Sequence, residues 1–152
     1  MLAYRNDEVV HRFSAGWSVP LPAARVLFAD VKRYLWLCGE LEFEIPPVRI
    51  VDEMWHTFLV FTRDYRTFCE SYLGAMVEHV PTTRSEFRAQ SSLARRDSRR
   101  VRSVTAERLQ RCVMAVWDKL GERVAMRWYV DYPERYGAKF FARGYRPSHG
   151  AS

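Results

Sequence analysis

The chain has 152 residues, 48% of them hydrophobic and 14% aromatic, with 24 Lys+Arg against 18 Asp+Glu for a formal net charge of +6. That length suits one domain burying roughly two-thirds of its unfolded-chain surface, and this apolar content excludes a disordered regulator. No run of 18 apolar residues predicts a transmembrane helix, the opening MLAYRNDEVVHRF carries no signal-peptide core, and three widely spaced cysteines fit a reducing cytoplasm rather than a disulfide framework.

Val9, Val10, Phe13 and Trp17 share a face and predict a short first helix. After Pro20 and Pro22, which suit a helix start, Ala24, Leu27, Phe28, Val31, Tyr34, Leu35 and Cys38 fall at helical spacing, with Gly39 as a stop. Residues 41–45 alternate weakly as a strand would, and Pro46-Pro47 cuts the pattern off. A longer stripe follows: Val51, Met54, Trp55, Phe58, Phe61, Tyr65, Phe68, Cys69 and Tyr72, ending at Gly74. Asp52 is placed to cap it, and Thr62 with Asp64 marks where it would break in two. Residues 84–102 then hold seven arginines and two acids, a local charge of +5, while the remaining 133 residues carry 17 bases and 16 acids. That Arg/Ser-rich stretch, 84–103, reads as an exposed linker or exposed helix. Thr105 is the expected N-cap of a further stripe, Leu109, Cys112, Val113, Val116 and Leu120, stopped by Gly121. A short helix is expected over 122–131. The tail, 133–152, interleaves Tyr136, Phe140, Phe141 and Tyr145 with Arg135, Lys139, Arg143 and Arg146. The expected fold is all-α, a small single-domain bundle of about five helices.

The most distinctive stretch is 51–81. Asp52, Trp55 and His56, then Tyr65, Phe68 and Cys69, then Gly74, His79 and Pro81 spell D-x-x-W-H, Y-x-x-F-C, G and H-x-P. In this pattern the chain resembles the glycine-rich-domain-containing protein family. Many of its members have a second His two places after the first, where this chain has Phe58, and the glycine-rich region is absent here. The resemblance implies a helical fold and no defined activity.

Asp52 and His56 are four apart and share a helix face; with Cys69 and His79 they form a set of competent ligands for zinc or another transition metal. Such a site needs three or four of them to converge. The competing reading has Asp52 cap the helix and pair with His56, buries Cys69 as a small hydrophobe and has His79 cap a loop. A nucleophilic Cys69 with His56 or His79 is disfavoured, because Cys69 sits on the apolar stripe, where a thiol is inert. No nucleophile elbow, P-loop or dinucleotide fingerprint is present, so no catalytic residue is expected. Arg95, Arg96, Arg99, Arg100 and Arg102 are candidate contacts for nucleic-acid phosphates or an acidic partner. The leading expectation is a non-catalytic cytoplasmic binding or accessory module acting through a protein partner. Metal binding and nonspecific nucleic-acid contact are the alternatives; no membrane partner is expected.

Overall fold

A computed structural model of the chain describes residues 1–80 and 84–146, the side chains of Phe87, Gln90, Leu93 and Ala94 apart. Pro81 of the motif and residues 147–152 of the tail lie outside the described residues. Everything regular within them is helical, with no strand, so the all-α expectation holds. Among the described residues, eight helices replace the expected five or so. They are α1 (Asp7–Trp17), α2 (Leu21–Glu40), α3 (Arg49–Val60), α4 (Thr62–Tyr72), α5 (Arg84–Arg96) and α6 (Ser98–Leu120). A continuous run of Glu122–Met126, the π-helical turn Arg127–Asp131 and Tyr132–Arg135 forms α7, and Ala138–Ala142 forms α8. No helix among the described residues is long and apolar enough to cross a membrane.

The chain packs as two compact units, 1–77 with 126–152 and 78–125. In the first unit, α1 begins because the Asn6 carboxamide accepts from the Val9 N–H at 3.2 Å, a side-chain N-cap. The other half of that amide donates to Asp64 at 2.9 Å, fastening the start of α1 to α4. α2 presents Ala24, Leu27, Phe28, Val31, Tyr34 and Leu35 to the core, and its Tyr34 hydroxyl donates to the Ile45 carbonyl at 3.0 Å. That bond secures 41–45 as irregular chain rather than a strand. The long stripe is broken at Phe61 (φ −86°, ψ 61°), which separates α3 from α4. Phe58 at that corner meets Phe28 edge-on at 5.1 Å and Tyr65 at 5.1 Å, and the Tyr4 ring covers Phe58 and Phe68 at 6.1 and 5.1 Å. Each such aromatic pair adds about 0.5–1.5 kcal/mol to the area it buries. The tail closes on the other side: Trp17 stacks on Phe140 at 5.6 Å and meets Phe141 and Tyr145 edge-on.

In the second unit the Arg/Ser-rich stretch is helical. Its arginines, alanines and glutamine are good helix formers, and Asp97 restarts the helix by accepting from the Arg100 N–H at 3.0 Å. That cap sits eight residues before Thr105, which consequently lies inside α6 instead of capping it. Cys112 and Val116 are buried as their spacing implies, whereas Leu109, on the same stripe, is 52% exposed.

Candidate functional site

The apolar face of α3 buries Ile50, Val51, Met54, Trp55 and Phe58, which leaves Asp52, Glu53 and His56 facing outward. His56 Nε2 lies 3.7 Å from the Asp52 carboxylate, and its Nδ1 lies 3.7 Å from that of Glu53. Asp52 does not cap the helix. Val48 occupies the cap position, and Asp52 stands one turn in, where its charge complements the helix dipole. Cys69 lies on α4, fully buried, and His79 is a half-buried residue of the second unit. Of the four proposed ligands, therefore, the first unit brings Asp52 and His56 together.

The other motif residues are structural. Trp55 Nε1 donates to the Tyr65 hydroxyl at 3.1 Å, which in turn donates to the Val77 carbonyl. The two rings tie α3 to α4 and to the chain leaving α4, and burial pushes the Tyr65 hydroxyl above its ordinary range.

The arginine-rich candidates occupy two consecutive helices. Arg95 and Arg96 end α5, Arg99, Arg100 and Arg102 begin α6, and all five are exposed, as are Arg84 and Arg88. Arg84, Arg88, Ser91 and Arg95 fall on one face of α5 by their spacing of four, three and four. Arg88, Ser91, Ser92 and Arg95 line a shallow cleft of about 310 Å³. On α6 the exposed cations share the surface with Val104, Leu109, Met114 and Trp117, which are 44–56% exposed. The second unit holds eleven Lys+Arg against six Asp+Glu, so it carries nearly all of the chain's net positive charge.

Two charged residues on α2 are not singled out by the helical periodicity. Asp30 is fully buried, and its carboxylate accepts from Arg127 Nε and Nη2, both at 2.7 Å, from the Tyr132 hydroxyl at 2.6 Å and from Arg33 at 2.8 Å. Arg127 and Tyr132 are five residues apart, which an α-helix would place roughly 140° around its axis. The π-helical turn closes an i→i+5 bond from the Tyr132 N–H to the Arg127 carbonyl and brings both side chains to one side. The hydrogen bonds it donates to Asp30 raise the Arg127 guanidinium further, and burial raises the Tyr132 hydroxyl. Lys32, also buried, is the second such residue. The signal for both was a charge embedded in the apolar run of α2.

A family model, UCP032817-like, matches residues 22–112, and the chain belongs to that family. Comparison with curated proteins and with solved structures gave no match. The family found is not the glycine-rich-domain-containing one, so that resemblance is overturned. Its physical basis is plain: Trp55, Tyr65, Phe68 and Cys69 are buried where α3 packs on α4, and bulky residues at such spacing suit any helix pair packed this way.

Proposed function

We propose that this UCP032817-like chain is a non-catalytic binding module whose contact surface is the arginine-bearing pair α5 and α6, and whose partner is a protein with an acidic, partly apolar face. The observation that carries the reading is the mixture on α6, where exposed arginines alternate with exposed Val104, Leu109, Met114 and Trp117. A nucleic-acid surface rewards phosphate-seeking cations but leaves aliphatic side chains unused, whereas protein interfaces favour Arg, Met and aromatics together. A photoreactive residue at position 114, activated in cells, tests it. A discrete nuclease-resistant adduct, lost in an Arg95/Arg96/Arg99/Arg100→Ala variant, is expected. A nuclease-sensitive adduct would replace the protein partner with nucleic acid, and an adduct that survives the arginine changes would refute the electrostatic basis.

A second reading, a divalent transition metal on α3, rests on the 3.7 Å approach of Asp52 to His56. Elemental analysis of protein purified without added metal decides it. About one metal per chain, lost in His56→Ala, supports the site, and less than about 0.1 removes it, given the affinities structural sites show.

A further inference from the structure

The N-terminal segment and the first half of α2 line a cleft of about 430 Å³ within the first unit, inside the range of small-molecule sites. Its wall includes the buried Val10 and Phe28, and its charged lining is Arg5, Arg25 and Lys32 against Asp7 alone. Arg25 and Lys32 are seven residues apart on α2 and share a face. Lys32 is only 3% exposed. Its Nζ donates to the carbonyls of Leu2, at 2.9 Å, and Tyr4, at 2.5 Å, and lies 5.1 Å from the Phe28 ring centre. An ammonium has three protons; the third finds no acceptor among the described residues, and no carboxylate among them pairs with Lys32. Burial, with Arg33 and Arg5 nearby, lowers the group to about 8. Asp30, two residues away on α2, is already committed to Arg33, Arg127 and Tyr132, so it does not balance the positive charge lining the cleft. A buried ammonium without a counter-charge is costly, and an anion entering the cleft relieves that cost.

We propose that the cleft binds a small organic anion, its carboxylate on the third N–H of Lys32 flanked by Arg5 and Arg25, and its apolar body along Val10 and Phe28. The chain has three lysines, Lys32, Lys119 and Lys139, so selective ¹³Cε-lysine labelling of the full chain gives a spectrum simple enough to follow one of them. Octanoate serves as the probe, with octanol as the neutral body and inorganic phosphate as the bare anion. Saturable binding of octanoate is expected, with a shift confined to the Lys32 signal and a rise in its titration midpoint from about 8. Octanol should leave that signal in place, and phosphate should bind more weakly than octanoate. Arg5→Gln and Arg25→Gln, both at exposed positions, should each weaken octanoate about two- to fivefold, the effect of a solvent-screened charge. An unmoved Lys32 signal at saturating octanoate overturns the site and leaves the lysine as a tether for the N-terminus. Equal response to octanol, equal affinity for phosphate, or unchanged affinity in both arginine variants would overturn it as well.

Discussion

Replacing Arg127 by Met tests the buried charge cluster directly. The substitution deletes two charge-assisted hydrogen bonds of 2.7 Å to a carboxylate that has no solvent of its own. Removing one partner of a buried pair costs about 3–5 kcal/mol, because the remaining charge is left uncompensated. Here Asp30 keeps Tyr132 at 2.6 Å and Arg33 at 2.8 Å, so the loss belongs at the lower end, about 3 kcal/mol. For a chain of 152 residues that corresponds to a drop in Tm of roughly 6–12 °C. Four of the five tryptophans, Trp17, Trp36, Trp55 and Trp128, lie in the first unit, so urea unfolding followed by their fluorescence reads the relevant transition. Combining Arg127→Met with Asp30→Asn should cost about 2 kcal/mol less than the sum of the single changes, since each removes the same interaction. A loss under about 1 kcal/mol in Arg127→Met, or additivity within about 0.5 kcal/mol, would refute the reading of Asp30 and Arg127 as a buried pair that compensates each other's charge.

Three further outcomes follow from other parts of the fold. Lys32 falls from an ordinary 10.5 to about 8 on folding, so between those values the unfolded chain binds more protons and this residue's contribution to stability rises with pH. The difference in unfolding free energy between the wild type and Lys32→Met should accordingly grow by about 1–2 kcal/mol from about pH 7.5 to about pH 9.5, and a flat difference contradicts the burial. A Cβ on Gly16 would collide with the ring of Tyr145. Gly16→Ala should therefore displace the tail from Trp17, cost about 1–3 kcal/mol and change the near-ultraviolet dichroism; adding Tyr145→Ala should recover part of that loss, and no recovery would refute the contact. Asp97→Ala should reduce helix stability in the second unit by about 1 kcal/mol while Asp97→Asn should not, as read by far-ultraviolet dichroism; equal effects would point to charge rather than capping.

Helical periodicity made most of the first unit legible, because α1 to α4 each bury one continuous stripe at i, i+3, i+4 spacing. It failed where capping chemistry outweighs the stripe. A single carboxylate at Asp97 starts α6 well before the apolar pattern begins, and a stretch poor in apolar residues is helical all the same. The spacing of Asp52, Trp55, His56, Tyr65 and Cys69 is visible too, yet it mixes two things: Trp55, Tyr65 and Cys69 are core, while Asp52 and His56 are surface neighbours. Ligand-type residues in a linear pattern do not reveal which face each one takes once the helix breaks at Phe61.

The buried charges were hidden for a different reason. Asp30 finds Arg127 97 residues later, through a π-turn whose register no 3.6-residue period anticipates. What the sequence did contain was the anomaly itself, an Asp and a Lys set into the apolar run of α2. A charge at such a position must be answered, since burial without a partner costs several kcal/mol. Asp30 is answered inside the fold by Arg127, Tyr132 and Arg33. Lys32 is answered by two carbonyls and, among the described residues, no carboxylate, and it borders an open cleft beside two further cations. Asp30 is thus balanced within the fold while Lys32 has no negative partner among the described residues, and this difference separates a residue that holds the fold from one placed to receive a ligand.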